Sequence, residues 1–140
     1  MKKFLLSLAF ISLISCSKDD DYKEKNYNGP RYMDPPVWIQ GTWKDNKDRM
    51  IQFTEDDLLY KYPMQKYTSA TTEIFDYERY YLKEYGNYQT PNVQEVELID
   101  YYSIKYNCLN DAPSKKFSFI RISESEIEST GLMPGIYIKQ

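Results

Sequence analysis

A period-two alternation of apolar and polar side chains over residues 96–106 limits the possible folds more than any other feature. Its apolar members are Val96, Leu98, Tyr102, Ile104 and Tyr106. Successive side chains of a strand point to opposite faces of the sheet, so the run predicts one long strand with one face in the core. Asp100 falls on the apolar side, where an unpaired carboxylate would cost several kcal/mol. It would either contact a ligand or, as we prefer, lie at a β-bulge that turns it outward.

Shorter runs of apolar residues, separated by turn-forming stretches, follow one another through the rest of the chain. They span residues 37–44, 50–54, 58–62, 116–122, 127–129 and 135–139. A series of short strands without a long helix predicts an all-β fold, namely a small antiparallel meander β-barrel that closes on itself. In the last run Tyr137 alternates with Ile136 and Ile138, which predicts a strand covered on both faces.

Residues 71–86 fit two structures. Ile74, Tyr77, Tyr81 and Tyr85 share one face of a helix, and Gly86 would then end it in the left-handed conformation. The tyrosines also fit an interrupted strand, which their β-propensity and the weak helix start favour. We prefer the strand and keep a short helix as the alternative.

The amino terminus has the layout of a secretory signal. Lys2 and Lys3 precede an apolar run over residues 4–14, which is too short to cross a bilayer core. The following Leu13-Ile14-Ser15-Cys16 resembles the lipobox of bacterial lipoproteins. That resemblance implies a signal peptide at 1–15, acylation of Cys16 and attachment to the membrane through this lipid.

Residues 16–36 have no apolar period and contain several Asn, Gly and Pro residues, so we expect a flexible acidic tether ahead of a domain at 37–140. The cluster Ser17-Lys18-Asp19-Asp20-Asp21 resembles the surface-export signal of Bacteroidota lipoproteins. The resemblance implies an outer-membrane protein exposed at the cell surface. The alternative is a tether that is acidic only because it is solvated.

The start of the domain resembles the lipocalin-like domains of Bacteroidota lipoproteins. The matching residues are Gly41-Thr42-Trp43-Lys44 followed by Ile51-Gln52-Phe53-Thr54-Glu55-Asp56, and residues 135–139 are similar to the closing strand of that family. The resemblance implies a barrel in which Gly41 bends the chain and Trp43 plugs the closed end. It also implies an interior that is either filled by side chains or open to one small ligand.

Composition argues against several classes of function. The chain has no histidine, which removes the commonest general base and metal ligand, and we predict no metal and no cofactor. The mature part is acidic, so nucleic acid is not an expected partner. Cys108 is the only thiol after Cys16 and is expected to be a buried hydrophobe. The pairs Asp56/Asp57 and Glu95/Glu97 lack the geometry of a hydrolase, so no enzymatic activity is predicted.

The 15 tyrosines, all after Cys16, offer apolar rings with directional hydroxyls. We expect Trp43, Tyr60, Tyr102 and Tyr106 to bind a small apolar or amphipathic ligand, unless these rings simply fill the barrel. The alternative function is docking of a partner lipoprotein or a surface glycan through exposed tyrosines, namely Tyr80, Tyr81, Tyr85 and Tyr88.

Overall fold

Nine antiparallel strands form one curled sheet in a computed structural model, which describes residues 30–86, 93–109 and 113–140. The strands are numbered along the chain. They are β1 Gly41–Asp45, β2 Met50–Phe53, β3 Leu58–Lys61, β4 Thr68–Ser69, β5 Gln94–Leu98, β6 Tyr101–Tyr106, β7 Lys115–Arg121, β8 Glu126–Gly131 and β9 Gly135–Lys139. One helix, α1 (Ala70–Tyr85), lies between β4 and β5 in the sequence. The predicted all-β, barrel-like fold with one short helix is confirmed.

The order of the strands is that of an up-and-down barrel cut open at one place. It runs β4-β3-β2-β1-β9-β8-β7-β6-β5, so the first and last strands pair through Trp43 and Lys139. The two edges are β4 and β5, and within the described residues they do not pair with each other. The sheet is therefore a curled half-barrel, and α1 is inserted at its open side.

The run predicted as one long strand is a hairpin. Strands β5 and β6 pair with Leu98 opposite Tyr101, which leaves Ile99 and Asp100 as a two-residue turn. Because Leu98 is opposite Tyr101, Leu98 and Tyr102 lie on opposite faces of the sheet. Leu98 is 60% exposed on the outer face, while Tyr102 is fully buried. The single strand and the bulge were wrong predictions. Apolar residues recur at every second position on both sides of the two-residue turn, so the sequence does not reveal that the chain reverses there. Asp100 is exposed in the turn.

Residues 70–85 form the helix that the sequence offered as an alternative, so the preference for a strand was wrong. The Ser69 hydroxyl accepts a hydrogen bond from the Thr72 N–H at 3.0 Å, which satisfies one of the unpaired amides of the first turn. Gly86 ends the helix in the left-handed conformation with φ of 65°, as predicted, and donates its N–H to the Leu82 carbonyl.

The core lies on the inner face of the sheet. Trp43 is fully buried, and its indole N–H donates to the Ile39 carbonyl at 2.6 Å. Residues 37–39, which were expected to start the first strand, form the turn under this ring. Tyr137 is buried, but Ile136 and Ile138 on the other face of β9 are 44% and 46% exposed. The prediction that β9 is covered on both faces was wrong, because the sheet has a packed layer on one side only.

The last residues of the predicted tether lie against the domain. Met33 is buried in the core, and the Asp34 N–H donates to Glu95 Oε1 at 2.9 Å. Arg31 donates to the Glu55 carbonyl at 2.6 Å. Residues 31–36 are therefore attached to the folded body. Within the described residues, no helix is long and apolar enough to cross a membrane.

The turn between β1 and β2 is organised by a buried carboxylate. Asp45 Oδ1 accepts the N–H groups of Lys47 and Arg49 at 2.9 and 2.8 Å, and Oδ2 accepts Arg49 Nε at 2.6 Å. Arg49 also donates to the Pro134 carbonyl, which connects this turn to the one before β9. Burial raises the pKa of Asp45, but these hydrogen bonds outweigh it, so the pKa lies below its ordinary value of 3.8.

We expect Asp45→Asn to lower the free energy of unfolding at pH 7 by about 3 kcal/mol, because Arg49 then lacks its carboxylate. A lowered pKa contributes stability that is complete above the unfolded-state pKa and is lost as the pH falls through the folded-state pKa. The difference from wild type should therefore shrink below about pH 4. Urea unfolding at several pH values measures this. Asp48→Asn is the control, since its pairing with Lys44 is exposed and should cost under about 1 kcal/mol.

Candidate functional site

The four residues predicted to bind a ligand all lie inside the half-barrel. Trp43, Tyr102 and Tyr106 are fully buried, and Tyr60 is 5% exposed. The three tyrosines share the core with Phe53, Phe117 and Phe119. Ring centroids are 5.1 Å apart for Tyr60 and Phe117, 6.5 Å for Tyr106 and Phe117, and 6.0 Å for Phe53 and Tyr102. These rings pack against one another, in the distance range of favourable aromatic pairs.

A carboxylate from the helix organises the polar end of this interior. Glu73 Oε2 accepts the hydroxyls of Tyr60 at 3.1 Å and Tyr106 at 2.8 Å, while Oε1 accepts the ammonium of Lys115. Lys115 also donates to the Tyr60 oxygen at 2.6 Å. We call Glu73, Tyr60, Tyr106 and Lys115 the carboxylate cluster. It connects α1 to β3, β6 and β7, and hence to both halves of the sheet.

The surroundings of the carboxylate cluster fix its protonation. Burial lowers the pKa of Lys115, but hydrogen bonds to Glu73 and Tyr60 outweigh it, so the pKa lies above the ordinary value of 10.5. Burial, with Glu73 nearby, raises the pKa of Tyr106. Burial also raises the pKa of the adjacent Cys108 thiol. At neutral pH the lysine is charged and the thiol and phenol are protonated, so none of the three is a nucleophile.

The hydroxyl of Tyr102 is held by a different carboxylate. It donates to Glu95 Oε1 at 2.7 Å, and the same oxygen accepts the Asp34 N–H. Burial first, then the bond to Glu95, raises the pKa of Tyr102. Glu95 lies on β5, on the side of the sheet that pairs with Ile104, and although it is exposed its carboxylate reaches the Tyr102 hydroxyl. The three tyrosines among the predicted ligand-binding residues, Tyr60, Tyr102 and Tyr106, thus have their hydroxyls bound to carboxylates of this chain.

A second aromatic group lies on the outside of the helix. Ring centroids of Tyr77 and Tyr81 are 4.6 Å apart, those of Tyr81 and Tyr85 are 5.3 Å apart and stacked, and Tyr80 meets Tyr81 edge-on at 5.5 Å. Tyr80 and Tyr85 are 45% and 64% exposed. Tyr77 is buried, and we call Tyr80, Tyr81 and Tyr85 the tyrosine surface. It holds three of the four tyrosines predicted to dock a partner, and Tyr88 lies outside the described residues.

An open groove of about 510 Å³ adjoins the tyrosine surface. It is lined by side chains of both charge signs and by two leucines, namely Asp76, Arg79, Tyr80, Leu82, Lys83 and Leu109. Apolar, aromatic and charged groups therefore meet on one accessible face of α1. Such a mixture is typical of the surfaces through which proteins bind one another.

The remaining predicted site residues have other positions. Cys16, the expected lipid attachment, lies outside the described residues. Cys108 is buried, as predicted. Asp57 accepts the Ser69 hydroxyl at 2.6 Å and the Thr71 N–H at 3.0 Å, so it supports the start of α1. In the described part of the chain, no group of three or more carboxylates or thiols converges as a metal site would.

Glu73 and Lys115 are the site residues that the sequence analysis missed. A helix over 70–85 would place Glu73 next to Ile74 and Tyr77 on the side that faces the sheet, but the preference for a strand concealed this signal. Comparison of the chain with protein-family models, with curated proteins and with solved structures found no match.

We expect Glu73→Gln to lower the free energy of unfolding by about 1–3 kcal/mol, because Lys115 would lose its carboxylate while about three quarters of its side chain stays buried. Chemical unfolding followed by tyrosine fluorescence measures the change. Glu84→Gln is a matched control on the exposed end of the same helix and should shift the value by no more than about 0.5 kcal/mol. Equal effects of the two substitutions would contradict the role given to Glu73.

Proposed function

We propose that this protein is a lipid-anchored outer-membrane lipoprotein, displayed at the cell surface, that binds a partner protein through the tyrosine surface and catalyses no reaction. The observation that carries the proposal is the stacked, half-exposed row of rings on α1 beside an open groove. The proposal has two parts that fail separately, the anchor and the binding surface.

The anchor rests on the amino-terminal sequence. Leu13-Ile14-Ser15-Cys16 follows an apolar run, and an acidic cluster comes directly after the cysteine. Acyl chains on Cys16 would bury methylenes in the bilayer at about 0.8 kcal/mol each, which makes attachment by several chains stable. The folded body that begins near residue 31 would then lie close to the membrane, separated from it by residues 17–30.

The binding surface rests on the contrast between the two aromatic groups. Interior rings have little exposed area, and their hydroxyls are bound to Glu73 and Glu95, whereas Tyr80 and Tyr85 are accessible. Tyrosine and arginine are enriched at the energetic centres of protein interfaces, and Arg79 lines the groove beside Tyr80. Stacking on Tyr81 holds the neighbouring rings in place, which lowers the entropy lost on binding.

A small ligand inside the half-barrel is the second candidate. The observation in its favour is that charged and hydroxyl groups converge within an apolar interior, in the carboxylate cluster. A ligand there would have to displace packed rings near Tyr60, Tyr102 and Tyr106 or replace their hydrogen bonds to Glu73 and Glu95. The expected ligand is apolar or amphipathic, with a group that replaces one carboxylate contact.

The anchor predicts that Cys16→Ala abolishes incorporation of labelled palmitate. The physical reason is that no other group of the mature chain carries an acyl chain. Cys108→Ala is the control and should keep the label. Label that persists in Cys16→Ala would contradict the anchor.

The binding surface predicts that a photo-reactive amino acid in place of Tyr85 forms a discrete adduct with a protein partner in intact cells. Adding Tyr80→Ala should weaken this adduct at least several-fold, because a central aromatic side chain often carries 2 kcal/mol or more, roughly 30-fold in affinity. The same probe in place of Tyr62, a partly exposed tyrosine outside the tyrosine surface, is the control. An adduct of equal yield at position 62 would contradict the proposal, and so would an adduct that only glycosidases digest.

A further inference from the structure

The outer face of the sheet carries exposed isoleucines that α1 does not cover. Four of them lie on or beside β7 and β9, the two strands that flank β8, each between 41% and 50% exposed, namely Ile120, Ile122, Ile136 and Ile138. Strand β8 runs between the two pairs and presents Glu126 and Glu128 on the same face. We call the outer side of β1, β9, β8 and β7 the isoleucine face.

One row of residues across this face has a symmetric chemical order. Met50, Lys44, Ile138 and Glu126 are successive register partners on β2, β1, β9 and β8. Ile122 continues the row, since its N–H donates to the Glu126 carbonyl at 3.0 Å. The row reads apolar, positive, apolar, negative, apolar, with Ile138 at its centre.

Such a row is complementary to itself. A two-fold axis that lies along β9 in the plane of contact brings two copies face to face and keeps every residue at its own level along the strands. The β1 side of one copy then faces the β8 side of the other. Lys44 meets Glu126 of the second copy, Met50 meets Ile122, and Ile138 meets its own counterpart. Facing sheets pack about 10 Å apart in this arrangement, with their strands nearly aligned.

We propose that the isoleucine face is an interface between two copies of this chain, related by a two-fold axis along β9. Glu126 forms no salt bridge within the described part of the chain, so it has a carboxylate to offer. Lys44 pairs with Asp48 at 2.7 Å in an exposed position, and an ammonium with three donors can bind a second carboxylate. An acidic partner would leave Glu126 unpaired, and an apolar partner would pair with neither Glu126 nor Lys44.

This interface is separate from the proposed function. It uses neither α1 nor Cys16, and it places the tyrosine surfaces of the two copies outside the contact. Two copies held on one membrane would also bind each other at a raised effective concentration, so a small interface suffices there.

Cross-linking tests the position of the axis. The full chain with Cys16→Ser, Cys108→Ser and Ile138→Cys should form a covalent dimer with a short bifunctional maleimide, because position 138 faces itself across the axis. Ile99→Cys in the same background is the control, since Ile99 is 87% exposed but lies at the tip of the β5–β6 turn. No dimer at position 138, or equal yield at position 99, overturns the proposal.

Charge reversal tests the pairing. In sedimentation equilibrium of the Cys16→Ser, Cys108→Ser chain, Lys44→Glu and Glu126→Lys should each weaken self-association by about tenfold, since each places like charges opposite one another. The double variant should restore it, because each copy then offers the reversed pair. A chain that stays monomeric at every concentration, or a double variant as weak as the single ones, overturns the proposal. Circular dichroism of each variant checks that it is folded.

Discussion

A half-buried carboxylate on the helix holds the open side of this half-barrel together. The sheet has edges at β4 and β5, and an open edge leaves backbone groups without partners. Glu73 connects the two sides of the opening through side chains, by binding Tyr60 from β3, Tyr106 from β6 and Lys115 from β7. Four groups satisfy one another in a partly dry site, where each hydrogen bond is electrostatically stronger than in water. The helix thereby connects β3 with β6 and β7 across the open side, where a closed barrel would have paired strands.

That arrangement also separates the aromatic side chains into two populations. Rings on the inner face meet the core, and the hydroxyls of Tyr60, Tyr102 and Tyr106 are bound to carboxylates. The buried residues of α1 all lie in its first half, and the last of them is Tyr77. The later rings, Tyr80 and Tyr85, are exposed. The carboxy-terminal half of the helix is mostly exposed, and Tyr81 and Tyr85 stack on each other there. Accessibility, and not composition, distinguishes the tyrosines of the core from those of the tyrosine surface.

The sequence predicted what depends on local periodicity and missed what depends on chain reversal and side-chain pairing. The short strands and the end of the helix at Gly86 were predictable, because alternation and a left-handed glycine are local signals. The β5–β6 hairpin was not, since Ile99-Asp100 lacks the Asn-Gly or Asp-Gly signal of a tight turn and the alternation continues through it. Lys115 could not be assigned to the site, because it lies 42 positions from Glu73. The four ligand candidates lie inside the half-barrel, but their mutual packing is a tertiary property that the sequence pattern did not predict.

Exposed isoleucines on the outer face carry little information by themselves. Isoleucine favours strands whether or not its face is covered, and single apolar side chains on a surface are normal. The register adds the information: it places Lys44 of β1 beside Ile138 and Glu126 of the last two strands, which are far from β1 in the sequence. Strand β9 can bring these residues together only because it pairs with both β1 and β8. Its pairing with β1 joins the two halves of the sheet. The same strand pairing that makes the fold barrel-like therefore also produces the symmetric row on its outer face.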